Sequence, residues 1–141
     1  MFNRSSKIAL LQKVPLFKAL SQRQLREIAR LADQIDVTAG TRLVTTGEIG
    51  YELFVIVEGN ATVRSRGGRT VRLGPGDSFG EMSLIDRGPR SATVEAASEM
   101  RLLVVGSRDF WRLLSAAPPL VTKIMVTLSQ RVREAEAAVP G

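Results

Sequence analysis

The hydrophobic and polar positions divide the chain into three zones, of which the first, residues 7–33, has apolar residues at helical spacing. The face predicted to be buried consists of Leu25, Ile28, Ala29 and Ala32. Ser21 precedes this pattern as a predicted N-cap, and Gln24 stands at the capping-box position. The zone is therefore predicted to be a small N-terminal helical bundle.

The second zone, residues 34–105, is typical of β-strands. The segment ELFVIVEGNATVRS holds two β-rich runs around a turn at Gly59. The segment TVRSRGGRTVRL alternates on both sides of Gly67-Gly68, which predicts a two-residue hairpin with Val63 and Val71 on its apolar side. Short strands joined by glycine-rich turns predict a rolled, jelly-roll-like antiparallel sheet.

The third zone, residues 107–137, returns to helical spacing. Ser107 is the predicted cap of a helix with an apolar face, and Pro118-Pro119 is the predicted start of a last helix. Apolar residues recur every four positions along that helix, at Leu120, Ile124, Leu128 and Val132. The three zones predict an α+β fold in which helices flank a β-roll, within a single domain that spans residues 1–141.

Composition narrows the possible functions. The 141 residues suit one domain, and the chain contains neither cysteine nor histidine. Disulfides, thiolate metal sites and the commonest zinc ligands and general base are thereby removed, so we expect no cofactor, no metal and no enzymatic activity. The net charge of +6 is compatible with an arginine-rich proteome or with attraction to phosphate, nucleic acid or an anionic membrane.

The apolar runs also bear on location. None reaches the roughly 20 residues that a membrane-spanning helix requires. Residues 1–7 lack the apolar core of a signal peptide. We therefore expect a cytoplasmic protein without a membrane segment.

The stretch FGEMSLIDRGPRSATVEA, residues 79–96, carries the candidate chemistry. A short helix that begins near Gly80 leaves backbone N–H groups unpaired, and its dipole adds positive potential, which together favour an anion. Arg90 supplies a planar fork that can grip phosphate, and Ser91 supplies a hydroxyl. The pattern predicts an anion site, and an ordinary ion pair between Arg90 and Glu81 is the alternative.

Glu81 does not suit a plain phosphate site because a carboxylate repels phosphate. It suits a site in which it accepts a hydrogen bond from a sugar hydroxyl such as a ribose 2′-OH. The local chemistry therefore indicates a compact ligand that offers one phosphate and one sugar hydroxyl, as a cyclic nucleotide does. The glycines lack the Gly-Lys-Ser/Thr ending of a P-loop.

The same stretch resembles the phosphate-binding cassette of the cyclic nucleotide-binding domain family. The matching residues are Phe79-Gly80-Glu81-Met82-Ser83-Leu84 and Pro89-Arg90-Ser91-Ala92-Thr93. We call residues 79–93 the cassette. The segments VPLFKALS and GEIGYELFVIVEGNATV resemble the N-terminal helical motif and the β-roll entry of the family, and the last helix resembles its lid.

The resemblance implies a role for each candidate residue. Arg90 would pair with the cyclic phosphate, Glu81 would accept from the ribose 2′-OH, and the backbone of Gly80 to Met82 would complete the cradle with Ser91. The base pocket would be lined by Val63, Val71 and Met82, and capped from the last helix by Leu128 or Arg131. The candidate ligand-binding residues are thus Val63, Val71, Phe79, Gly80, Glu81, Met82, Ser83, Arg90, Ser91, Leu128 and Arg131.

The function predicted in this way is a non-catalytic sensor that binds cAMP in preference to cGMP and signals to an unknown downstream protein through its C-terminal helices. We favour cAMP because bacterial-looking members of the family mostly use it. Ser91 itself is compatible with either nucleotide. The alternative is a truncated effector domain, taken from a catabolite-activator-type DNA-binding regulator or a cyclic-nucleotide-gated channel. No DNA-binding motif follows the last helix, and that helix could also pair two copies as a homodimer.

Overall fold

The computed structural model describes residues 4–18, 20–65, 67–84, 88–116 and 118–137. The helices are α1 (Arg4–Leu11), η1 (Pro15–Phe17), α2 (Gln22–Leu31), η2 (Glu81–Leu84), α3 (Ser107–Ala116) and α4 (Pro118–Ala137), where η denotes a 3-10 helix. The strands are β1 (Asp33–Val37), β2 (Arg42–Val44), β3 (Glu52–Glu58), β4 (Ala61–Ser65), β5 (Thr70–Leu73), β6 (Ser78–Phe79), β7 (Ala92–Ala96) and β8 (Met100–Gly106). The predicted α+β class and antiparallel roll are confirmed.

The strands form two four-stranded antiparallel sheets. The first has the order β1-β8-β3-β6 and the second the order β2-β7-β4-β5. Apart from the β4-β5 hairpin, neighbours within each sheet are not consecutive along the chain, as in the pairing of β3 with β8. This crossed connectivity folds the second zone into a roll.

Strand β3 explains why the chain contains the unbroken apolar run LFVIV. Leu53 and Val55 belong to a cluster that packs against the helices, whereas Phe54 and Ile56 belong to a cluster between the two sheets. Side chains alternate across a strand, so a strand with both faces covered must be apolar at every position. The first sheet is therefore the middle of three layers, with helices on one side and the second sheet on the other.

The predicted capping box at the start of α2 is confirmed. Ser21 Oγ accepts a hydrogen bond from the backbone N–H of Gln24 at 3.2 Å, and Gln24 Oε1 accepts from the N–H of Ser21 at 2.9 Å. The buried face of the helix includes Leu25, Ile28 and Ala29, as the spacing predicts.

Replacing this cap tests its contribution to stability. We expect Ser21→Ala to lower the free energy of unfolding by about 0.5–2 kcal/mol, because it leaves an N-terminal N–H group of α2 without its partner. Urea denaturation followed by circular dichroism measures this change. Ser21→Asp retains a capping oxygen and is the matched control, so equal losses in both variants would contradict a capping role.

The Gly67-Gly68 hairpin is wider than predicted. Ser65 N donates to Arg69 O at 2.9 Å, and residues 66–69, four rather than two, connect β4 to β5. Gly68 has a φ of 81°, whereas Gly67 is not among the described glycines of positive φ. A two-residue type I′ turn requires positive φ at both central positions, which explains the difference.

The prediction that Ser107 caps α3 is wrong. Ser107 is the first residue of the helix, its side chain is buried, and its Oγ has no hydrogen-bond partner among the described residues. Its backbone N–H donates instead to Tyr51 O at 2.7 Å. Strand β8 leads straight into α3, so the cap position before the helix falls on Gly106, the last residue of the strand, and Ser107 already lies inside the helix.

The last helix begins at Pro118, as predicted. Its apolar stripe is divided between core and solvent. Ile124 is buried, and Leu128 is partly buried against the helix-side cluster, which is the cluster that contains Leu53 and Val55. Val132, in contrast, is 57% exposed. The side chain of Leu120 lies outside the described residues. Across the described part of the chain, no helix combines the length and apolar character needed to cross a membrane.

Candidate functional site

A cavity of about 440 Å³ opens beside the cassette. It is lined by Val44, Val63, Phe79, Gly80, Glu81, Gly88, Pro89, Arg90, Ser91, Ala92 and Val94. Its volume lies within the range typical of small-ligand sites. The cavity is apolar along the second sheet and polar at the cassette, and this asymmetry suits a ligand with one apolar and one charged end.

Arg90 is the buried charge of this cavity, with a residual exposure of 7%. Its backbone is fixed by the turn before β3, because its N–H donates to Glu48 O at 2.8 Å and its carbonyl accepts from Gly47 N at 2.9 Å. Its Nη2 donates to Glu52 O of β3 at 3.1 Å. The turn before β3 therefore holds the backbone of Arg90, and β3 itself holds the guanidinium group.

Two glycines make room for that guanidinium group. A Cβ added at Gly50 would overlap the Nε, Cζ and Nη2 atoms of Arg90. A Cβ at Gly80, whose φ is 81°, would lie 2.6 Å from Arg90 Nη1 and 2.7 Å from Glu52 O. Any larger residue at either position would displace Arg90, so both glycines are part of the site.

The electrostatic setting of Arg90 favours an anion. Desolvation by burial lowers the pKa of the guanidinium group, and the nearby Glu52 carboxylate opposes that shift. Arginine nevertheless remains protonated at physiological pH. A cation that has lost part of its hydration gains more from an anionic partner than an exposed one does.

Glu81 lines the same cavity and is the first residue of η2. Its Oε2 accepts a hydrogen bond from the backbone N–H of Leu16, in η1, at 3.4 Å. A carboxylate offers two oxygens and about four acceptor directions, so it can take part in several hydrogen bonds at once. The predicted short helix that follows Gly80 is a four-residue 3-10 helix.

The apolar part of the cavity consists of a stacked aromatic side chain and three valine side chains. Phe79 stacks on Phe54 of β3, with ring centroids 4.9 Å apart and ring planes inclined by 12°. Val44, Val63 and Val94 come from three adjacent strands of the second sheet. Together with Phe79 they form the apolar part of the cavity lining.

The structure brings most of the predicted residues to this cavity. Val63, Phe79, Gly80, Glu81, Arg90 and Ser91 all line it. Val71 is the register partner of Val63 but lies on the edge strand β5, where it is 40% exposed and does not line the cavity. Leu128 packs with the helix-side cluster and is likewise not among the lining residues.

Three predicted residues fall wholly or partly outside the described part of the chain. The side chains of Met82, Ser83 and Arg131 are not described. Sequence reasoning in turn missed the contributions of Gly50, Glu52 and Val94. Gly50 could have been found from the segment GEIGYELF, in which two glycines stand close together just before a buried strand.

Comparison with known proteins identifies the class to which this fold and site belong. The sequence model of the family described as "Cyclic nucleotide-binding domain" matches residues 34–117. The chain belongs to the cyclic nucleotide-binding domain family. The matched region contains both sheets, the cassette and α3.

Individual relatives are regulatory proteins of several kinds. The chain is 43% identical over 122 residues to a cyclic nucleotide-gated potassium channel of Rhizobium etli, covering 86% of this chain and 34% of the channel. It is 39% identical to a cAMP-dependent protein kinase regulatory subunit of Mycosarcoma maydis, covering 74% and 22% of the two chains. The chain thus spans about a third or less of the curated relatives described here.

Solved structures give the same fold. The N-terminal domain of a transcriptional regulator from Streptomyces coelicolor superposes with a TM-score of 0.81 at 32% identity, covering 92% of this chain and 94% of that one. The catabolite activator protein of Thermus thermophilus gives a TM-score of 0.70 at 30% identity, covering 87% and 60%.

Proposed function

We propose that this chain is a sensor domain that binds a cyclic nucleotide in the cavity beside the cassette. The observation that carries the proposal is the position of Arg90, which is buried between Gly50 and Gly80 on the wall that Glu81 and Ser91 also line. A buried arginine suits a phosphate, and a carboxylate on the same cavity lining suits a sugar hydroxyl.

Each residue then takes one part of the ligand. Arg90 pairs with the cyclic phosphate, assisted by the backbone N–H groups of Gly80 to Met82 and by the Ser91 hydroxyl. Glu81 accepts a hydrogen bond from the ribose 2′-OH. The base lies along the apolar wall that includes Val63, and Leu128 or Arg131 of α4 covers it after a movement of that helix.

We favour cAMP over cGMP as the ligand, and we propose that the domain binds the nucleotide without catalysing its conversion. Titration calorimetry with cAMP, cGMP and non-cyclic AMP tests this directly. We expect binding of cAMP to be tightest and AMP to bind much more weakly, because AMP carries an open phosphate with additional charge. Failure of both cyclic nucleotides to bind would refute the proposed function. Conversion of cAMP to AMP during incubation would refute the proposal that the domain is not catalytic.

The output of the domain is carried by its C-terminal helices in this proposal. Binding draws η2 toward the ligand, and α3 and α4 close over the base, so that a cytoplasmic partner recognises the closed arrangement. A ligand shifts such an equilibrium only through its higher affinity for one state. The likeness to the Streptomyces regulator domain favours one alternative, in which the domain is the effector part of a DNA-binding regulator.

We further propose that α4 pairs two copies of the chain. Met125, Val126 and Val132 are exposed by 62%, 52% and 57% on a helix whose other face packs into the core. Exposed apolar side chains grouped on one helix mark an association surface. A homodimer would cover them from both copies at once.

The dimer can be tested by Val126→Glu. We expect the dimer dissociation constant to rise by about tenfold or more, because a carboxylate would be buried without a partner. Sedimentation equilibrium measures this constant, with Val71→Glu on the exposed edge strand β5 as the control. A wild-type protein that is monomeric up to high concentration would contradict the proposed dimer.

A further inference from the structure

We infer that Trp111 is a positioning residue for the nucleotide site, although it does not line the cavity. It fixes the far end of η2 and thereby holds Gly80 and Glu81 in place beside Arg90. This inference rests on the proposed function, because the site that Trp111 would position is the proposed nucleotide site.

The contact that carries the inference is a short hydrogen bond. The indole Nε1–H of Trp111, on α3, donates to the backbone carbonyl of Leu84 at 2.6 Å. Leu84 is the last residue of η2, and its side chain is fully buried in the helix-side cluster. Trp111 is the only tryptophan in the chain, so no other indole can supply this donor.

The helix that receives this bond cannot fix its own position. A 3-10 helix of four residues has few internal hydrogen bonds, and its last carbonyl groups have no partner within the helix. A donor from another element therefore helps to fix where that end lies, together with the packing of the buried Leu84 side chain. A 3-10 helix has about three residues per turn, so Leu84 and Glu81 lie at the two ends of a single turn of η2. A displacement of Leu84 therefore shifts Glu81 as well.

The other end of η2 is attached to the same helical layer. Glu81 Oε2 accepts from Leu16 N of η1, and the neighbouring residue Phe17 contacts Phe110 of α3 with ring centroids 6.0 Å apart. Phe110 directly precedes Trp111, and their rings pack edge to face with centroids 6.3 Å apart. Thus η1 and α3 contact each other and hold η2 at both ends.

This arrangement assigns the two helices a role in affinity. Without the indole donor, the Leu84 carbonyl loses its partner in α3, and η2 can occupy positions in which Glu81 and the Gly80 N–H no longer face the ligand. Only the fraction of molecules with η2 in place then binds with full affinity. The expected consequence is weaker binding with an unchanged set of ligand contacts.

The test is Trp111→Phe, which keeps an aromatic ring beside Phe110 but removes the N–H donor. We expect the cAMP dissociation constant measured by calorimetry to rise by about two- to tenfold, the equivalent of one net hydrogen bond. Hydrogen exchange at the amides of residues 81–84 should accelerate by a similar factor in the absence of ligand, whereas the amides of β8 should be unaffected. Ser115→Ala is the control, because Ser115 Oγ bonds only within α3, to Trp111 O at 3.0 Å among the contacts described.

The outcomes separate a positioning role from a merely structural one. Wild-type affinity in Trp111→Phe would overturn the inference, and so would equal acceleration of exchange in η2 and β8, which would indicate general destabilisation. If the wild-type protein binds no cyclic nucleotide, the proposed function fails. The exchange comparison still decides whether Trp111 fixes η2, because it is made without ligand.

Discussion

Arg90→Ala is expected to weaken cAMP binding by at least about tenfold, because one charge-assisted hydrogen bond contributes roughly 1.5–3 kcal/mol and 1.4 kcal/mol corresponds to a factor of ten. The guanidinium group is buried and held by Glu52 O at 3.1 Å, so it is oriented before the ligand arrives. Titration calorimetry with cAMP measures the loss. Affinity equal to that of the wild type in a folded Arg90→Ala protein would contradict the proposed phosphate site.

Two further variants sharpen this result. Arg72→Ala removes an exposed arginine of β5 and is the control for net charge, so its affinity should change little. Arg90→Lys keeps the positive charge but loses the planar fork that matches phosphate oxygens. We expect its affinity to lie between those of the wild type and Arg90→Ala, which would separate the effect of charge from that of geometry.

Gly80→Ala is expected to reduce both stability and affinity. The φ of 81° at this position costs an L-residue about 1–3 kcal/mol. The added Cβ would in addition lie 2.6 Å from Arg90 Nη1 and 2.7 Å from the Glu52 carbonyl. Since Arg90 must move to relieve the overlap, we expect cAMP affinity to fall by at least about tenfold, measured by calorimetry.

Gly68→Ala is the matched control for this substitution. Gly68 also has a φ of 81°, but a Cβ there would meet no atom within 4 Å. The backbone penalty is therefore shared by the two variants, and the overlap with Arg90 is confined to Gly80. Equal losses of stability and unchanged affinity in Gly80→Ala would show that the close approach of Gly80 to Arg90 is unimportant.

The candidate ligand site was predictable from the sequence because its residues are close together along the chain. Gly80, Glu81, Arg90 and Ser91 fall within twelve positions, and their chemistry alone indicated a phosphate beside a sugar hydroxyl. Their convergence on one cavity agrees with that prediction. The strand zone was also predictable, because both runs that are buried on two faces, in β3 and β8, are apolar without interruption.

Contacts between distant residues were not predictable in this way. The Trp111–Leu84 bond joins residues 27 positions apart, and the Arg90–Glu52 bond joins residues 38 positions apart. Neither leaves a local pattern, because a backbone carbonyl accepts a hydrogen bond whatever its side chain is. Val71 was expected at the base pocket from the family resemblance, after alternation had placed it on the apolar side of its strand. Alternation gives the face of a strand but not its place in the sheet. Only the sheet order shows that β5 is an edge strand.

Strand β3 has a consequence for how the domain melts. Its odd and even positions belong to different hydrophobic clusters, so neither cluster can lose its packing while the strand remains in place for the other. We therefore expect the two cores, which share this strand, to unfold together as one cooperative unit despite the three layers. Because the Glu52 carbonyl that orients Arg90 is part of the same strand, we expect the proposed nucleotide binding to stabilise that whole unit rather than the cassette alone.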